Sequence, residues 1–155
     1  MDDFIIIEKG RMEHATNIAE HNILLAKETE ELILDYNTAL AGSTYLLTHP
    51  QYGFYLIAKH DNCIIGQAMI TFEWSDWRNK MIYWIHRVYV IPEWRTKGIL
   101  KKIITYLFNH IDENTLFQIR IYVHNENTKA FEAYKKIGFT ETPFTIMQSS
   151  LSNEI

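Results

Sequence analysis

The stretch from Met81 to Ile91 is a long apolar run closed by Pro92, and just beyond it the periodicity of the chain changes. Ile99, Ile103, Ile104, Leu107 and Phe108 recur at spacings of three and four, which predicts a helix over about Lys97 to Asn109. A strand this apolar suits the centre of a sheet, and proline, lacking an N–H, blocks further pairing. Between strand and helix stands the basic turn Arg95-Thr96-Lys97-Gly98. A helix start leaves backbone N–H groups unpaired at the positive end of its dipole, and that arrangement binds phosphate. Arg95 and Lys97 add charge, and Gly98 lets the backbone approach an anion with no side chain in the way. An ordinary strand-to-helix turn with solvated basic residues accounts for the same residues about equally well.

The rest of the chain reads as mixed α and β. Phe4 to Ile7 predicts a first strand, and Ile18, Leu24 and Leu25 mark an amphipathic helix within Arg11 to Lys27. A second helix is expected over Thr38 to Leu47, with Pro50 beyond it as a stop. Phe54 to Ala58 and Ile64 to Phe72 form a hairpin about a tight turn at His60-Asp61-Asn62, and Trp74 to Asn79 reads as a loop. Phe117 to Val123 is a strand, Thr128 to Ile137 a helix stopped by Gly138, and Phe144 to Gln148 a closing strand. Strand-helix-strand order implies parallel pairing near Val90 and Val123. With no linker and no repeat, residues 1–155 are expected to form a single domain.

Composition narrows the function classes. No apolar run reaches the roughly 20 residues of a membrane helix, and the start Met1-Asp2-Asp3-Phe4 is acidic where a secretory signal is basic. Cys63 is the only cysteine, so neither an internal disulfide nor a cysteine zinc cluster can form. A reducing cytoplasm is the expected location. The net charge of -4 argues against nucleic acid as a partner and is compatible with a cationic amine. The seven histidines show no metal-binding spacing, so no metal is expected.

The segment Val90-Ile91-Pro92-Glu93-Trp94-Arg95-Thr96-Lys97-Gly98 resembles the coenzyme A motif of the GNAT acetyltransferase superfamily, Arg/Gln-x-x-Gly-x-Gly/Ala. Leu100 stands where that pattern has Gly or Ala, and a branched side chain there would crowd a pyrophosphate or tilt the helix. A second match, Asn127-x-x-Ala130-x-x-x-Tyr134-x-x-x-Gly138-Phe139, follows at the distance the fold requires. The resemblance implies an α/β fold with a central mixed, twisted sheet of six to seven strands, about four helices and two splayed central parallel strands. It implies acetyl-coenzyme A as cosubstrate, held by the turn Arg95, Thr96, Lys97, Gly98, Ile99 and Leu100, by backbone at Tyr89 and Val90, and by Asn127. A backbone N–H near Tyr89 would polarise the thioester carbonyl. Tyr134 would protonate or hydrogen-bond the departing thiolate, a phenol of pKa about 10 facing a thiol near 8 to 9. Each residue has a plainer reading: Asn127 as a helix N-cap, Tyr134 as a core aromatic, Gly138-Phe139 as a helix stop.

A protonated amine cannot attack a thioester, so a proton acceptor is needed. Glu73 and His86 are the candidates, with Asp76 behind them; alternation along the strand puts His86 on one face with Trp84, Val88 and Val90. His86 reads equally as a partly buried structural histidine, Glu73 as a solvated charge, and a water relay needs neither. Trp74, Trp77, Tyr83 and Trp84 are expected to line an acceptor pocket or to serve core and dimer contacts. The function expected is N-acetyl transfer to a small-molecule or protein amine by direct attack. The alternative is a GNAT-fold module that binds coenzyme A or an acyl-coenzyme A without transfer. GNAT domains often pair, so a homodimer is compatible with the exposed aromatics.

Overall fold

In the computed structural model, which describes residues 4–150, helix caps and strand ladders fall close to the expected boundaries, and the departures have local causes. The chain divides into two compact units at Tyr122/Val123. The first carries β1 (Ile6–Lys9), α1 (Ala15–Glu30), α2 (Tyr36–Thr48), β2 (Gly53–His60), β3 (Cys63–Ser75), β4 (Lys80–Val90), α3 (Ile99–Asn109) and β5 (Leu116–Ile121). Short 3₁₀ turns at Met12–His14 and Pro92–Trp94 lead into α1 and the α3 turn. The second unit holds α4 (Thr128–Ile137).

The sheet has order β1-β2-β3-β4-β5, antiparallel throughout except for the parallel pair β4 and β5. Among the described residues five strands stand where six to seven were expected, because Phe144 to Gln148 forms no ladder. Phe144, Ile146 and Met147 are all exposed there, and β-propensity acts only where neighbouring strands receive the side chains. β1 starts two residues later than expected, where Ile6 first meets Lys59. α2 starts at Tyr36 because the Asp35 carboxylate accepts from Thr38 N–H at 2.8 Å and from its hydroxyl at 2.9 Å. The β2–β3 turn has Asp61 and Asn62 both at positive φ, 48° and 64°, the geometry that matches the twist of a two-residue hairpin. The expected loop at Trp74 is shorter than read: Trp74 and Ser75 pair with Met81 and Lys80, leaving residues 76–79 as the turn.

The two faces of the sheet carry different helices. Ile18 of α1 and Leu46 of α2 close over Tyr55 and Ile57, with Met69 against them. Alternation puts Phe54, Leu56 and Tyr83 on the other face, where Tyr106 and Leu107 of α3 lie. The buried stripe of α1 is Ala15, Ile18, Ala19 and His21; Leu24, expected in that stripe, is exposed.

Two irregularities in β4 matter for the site. Gln67 pairs with Tyr89 and Met69 with His86, so β4 carries one extra residue there, with Arg87 at φ 50°. The bulge overturns the simple alternation expected. His86 keeps the face of Trp84, but beyond the bulge it is Tyr89 that returns to that face, beside His21 of α1, while Val90 packs on the side of Ile99. Second, the parallel ladder with β5 ends at Ile85↔Ile121, while β4 runs on to Val90. From His86 onward β4 has no β5 partner.

Candidate active site

At the end of β4 the Ile91 N–H donates to Ile65 O at 3.0 Å, and Pro92 begins the 3₁₀ turn. Thr96 and Gly98 then both take positive φ, 64° and 78°, before α3 starts. For Gly98 that conformation is free of strain. For Thr96, a β-branched residue, it is strained by roughly 1–3 kcal/mol. α3 opens on Gly98 with no side-chain cap, and its first backbone bond runs from Lys102 N–H to Gly98 O at 3.0 Å. Its first-turn amides are therefore left for another acceptor. A side-chain carbon placed on Gly98 would meet nothing within 4 Å, so the space above the turn is open.

The side chains around this turn are already engaged. Arg95 Nε donates to Val90 O at 2.9 Å, its Nη2 pairs with Glu28 Oε2 of α1 at 2.8 Å, and its guanidinium lies 5.5 Å from the Tyr89 ring centroid. It thus ties α1 to the end of β4, rather than standing free for an anion, and it occupies the Val90 carbonyl. Lys97 Nζ rests 4.8 Å over the Trp94 ring. Ile99 is buried against Gly66 and offers the turn only its backbone. Leu100 is half-buried and Thr96 exposed. Tyr89 is buried against His21, ring centroids 4.9 Å apart, and burial pushes its phenol above the ordinary range.

On the sheet face of α1, β3, β4 and β5 bring a second group together. His86 Nε2 and Thr71 Oγ1 stand 2.8 Å apart, and the His86 ring lies 5.0 Å from that of Tyr122. Trp84 stacks on Tyr122 at 4.5 Å. Glu73 Oε2 accepts from Trp84 Nε1 at 3.3 Å and from Arg120 Nη1 at 3.4 Å. Burial, then the neighbouring Arg87 charge, holds His86 below its ordinary 6.5, so it is neutral at pH 7. Glu73 and His86 thus share a face. Asp76 lies in the hairpin turn, where it accepts from Trp77 N–H at 2.9 Å. Of the aromatics expected to line one pocket, only Trp84 sits here: Tyr83 is on the opposite face with Phe54 and Phe72, and Trp77 projects from the hairpin tip. Thr71, Arg120 and Tyr122 went unread in the sequence, because only strand register brings them to His86 and Glu73.

A buried polar strand of contacts also escaped the sequence reading. Gln67 Nε2 donates to Asn22 Oδ1 at 2.9 Å, and Asn22 Nδ2 donates in turn to Ser43 Oγ of α2 at 3.5 Å. These residues fix α1 and α2 on β3 next to Tyr89.

In the second unit, Asn127 Oδ1 accepts from Ala130 N–H at 3.1 Å, capping α4. At the other end Gly138, φ 109°, and Phe139 close the helix: Phe139 N–H donates to Tyr134 O at 3.0 Å, and the two rings meet edge-on at 5.8 Å. Tyr134 is buried, and burial pushes its phenol up to about 12. Cys63 is exposed at the start of β3. Among the described residues no helix is long and apolar enough to cross a membrane, and no three His, Cys, Asp or Glu side chains gather as a metal site.

A mixed sheet whose parallel pair opens at β4, followed by a helix start with no side-chain cap, defines an α/β protein that leaves backbone amides unpaired at the C-terminal end of its central strand. The profile of the Acetyltransferase (GNAT) family matches residues 16–139, and the chain belongs to that family. It is 33% identical over 76 residues to thialysine N-epsilon-acetyltransferase of Bos taurus, a match covering 49% of this chain and 44% of that one; it thus spans less than half of that relative's length. Among solved structures, a possible acetyltransferase from Clostridium difficile 630 is 34% identical with a TM-score of 0.88, over 95% of this chain and 97% of that one. A predicted acetyltransferase with acetyl-CoA from Clostridium acetobutylicum shares the fold at 21% identity and a TM-score of 0.76, covering 94% and 96%.

Proposed function

We propose that this chain, as one catalytic module over residues 1–155, is an N-acetyltransferase that moves an acetyl group from acetyl-coenzyme A onto an amine by direct attack. The observation that carries the reading is the uncapped start of α3 beneath open space at Gly98, a fit for a pyrophosphate. Support comes from the family itself, from a fold neighbour with acetyl-CoA, and from a curated relative named for transfer to the ε-nitrogen of thialysine.

Acetyl-coenzyme A supplies an activated acyl group on a thiolate leaving group. The backbone amides of residues 98–100 would hold its pyrophosphate, and Lys97 would add charge at the rim. Arg95 acts on this reading as a strut, fixing the end of β4 through Val90 O. The stretch of β4 from His86 to Tyr89, paired with β3 but without a β5 partner, is the edge left for the rest of the ligand. Neutral His86 and Glu73 are the two groups able to take the amine proton. By family resemblance Asn127 and Tyr134 bear on the pantetheine and the thiolate. A phenol near 12 cannot complete transfer to a thiolate near 8.5 without an uphill step, so Tyr134 is assigned hydrogen-bond donation.

Calorimetric titration with acetyl-coenzyme A, on wild type and Gly98→Trp, tests the turn. Micromolar binding that the variant loses, together with thiol release on adding amines, supports the proposal. Binding without thiol release for any amine would leave the non-catalytic binding module as the reading. No binding would remove both.

A further inference from the structure

The Glu73–Arg120 pair is built loosely. Arg120 Nη1 stands 3.4 Å from Glu73 Oε2, and Trp84 Nε1 reaches the same oxygen over 3.3 Å. Both contacts are long for charge-assisted bonds. The side chains keep 46% and 26% of their surface exposed, so the pair contributes little to stability and either half can be exchanged for a ligand group. The geometry is nonetheless ordered. Gln118 Oε1 takes Arg120 Nε at 3.1 Å, the guanidinium lies 5.6 Å from the Trp84 ring centroid, and Trp84 stacked on Tyr122 forms a flat apolar wall beside it.

An acidic face alone would accept any cationic amine. Arg120 changes that, because a diamine presents a second positive charge to a cation already in place, and like-charge juxtaposition discriminates against a partner. An α-amino acid head carries ammonium and carboxylate on one carbon. It can therefore replace both halves of the pair together, its ammonium on Glu73 and the Trp84 ring, its carboxylate on the guanidinium fork. We infer that the Glu73–Arg120 pair recognises an acceptor bearing a zwitterionic α-amino acid head, with Arg120 as the specificity-determining residue. The inference rests on the reading of the chain as an N-acetyltransferase. In the reaction the C–N bond forms and the thioester C–S bond breaks; with Glu73 holding the head ammonium, the proton of the attacking amine passes to His86 or to water, and coenzyme A departs as the thiol.

Three probes of one carbon skeleton test it, assayed by thiol release from acetyl-coenzyme A: lysine, lysinamide and 1,5-diaminopentane. Wild type is expected to show a KM for lysine at least about tenfold below the other two, because a site made for a carboxylate leaves its own groups unpaired when that carboxylate is missing. Arg120→Met is expected to raise the lysine KM to the level of the others with kcat nearly unchanged, and Arg120→Lys to restore part of the preference. Thermal melts of both variants close to wild type separate this from misfolding. Lysinamide or the diamine used as well as lysine, or a lysine preference that survives Arg120→Met, overturns the inference while leaving transfer itself intact. Absence of thiol release with all three probes and with a wider amine panel removes the catalytic reading and this inference together.

Discussion

Thr96 and Gly98 both hold the left-handed backbone of the α3 turn, for different reasons. Gly98 does so without strain, and a Cβ there would touch nothing, so Gly98→Ala is opposed by φ alone. The expected loss is about 1–2 kcal/mol in denaturant unfolding, with acetyl-coenzyme A affinity falling as the turn distorts. Thr96→Gly should run the other way, stabilising the free protein by relief of strain. Opposite signs for the two in one unfolding series would locate the strain at Thr96. The two proton acceptors are also separable at this scale. If His86 takes the proton, His86→Ala lowers kcat by the roughly 10²-fold or more typical of general bases, and Glu73→Gln changes KM more than kcat. Turnover unchanged in both variants would leave the proton to water.

Within single elements the plain structural readings of the sequence are realised. Asn127 caps α4, so Asn127→Ala should cost about 1 kcal/mol of stability in denaturant unfolding whatever it does to cofactor binding; no loss would mean the cap is already frayed in solution. The β4 bulge is the other element-level device. Arg87 sits at φ 50°, where Arg87→Gly should hold or raise the melting temperature and Arg87→Val should lower it. Removing residue 87 altogether would slide Val88 to Val90 by one position and turn Tyr89 away from His21, with loss of activity expected. A bulge leaves no mark in the sequence, which is why a simple alternation from His86 to Val90 read smoothly and was wrong beyond Arg87.

Over the whole molecule the pH dependence of stability follows from buried titratable groups. Burial holds His14, His21 and His86 below the ordinary 6.5. Below that pH the unfolded chain binds protons the fold does not, so unfolding free energy should fall as pH drops through about 6.5. Tyr134 acts at the other end. Its phenol titrates near 10.0 when unfolded and near 12 when folded, so the fold keeps a proton the unfolded chain has lost, and stability should fall from pH 10 toward 12. Urea unfolding from pH 5 to 11 measures both limbs. A flat acid limb would mean the histidines are hydrated in solution.

The order of elements, the helix ends at Asn127 and Gly138, and the turn from Pro92 to Gly98 were legible in the chain, because each is set by residues within a few positions of one another, whereas the Asp35 cap that starts α2 at Tyr36 was not read. The family, too, was carried by two local motifs. Strand number was not legible: Phe144 to Gln148 has the composition of a strand, but only a partner makes one. Nor was the engagement of Arg95 by Glu28 and Val90, or the joining of Glu73, Arg120, Trp84, Tyr122, Thr71 and His86 across three strands. Those contacts depend on register, on one bulge and on where the parallel ladder stops. Such long-range pairings lie in the tertiary structure, since a single sequence records which side chains exist and not which backbone positions oppose one another.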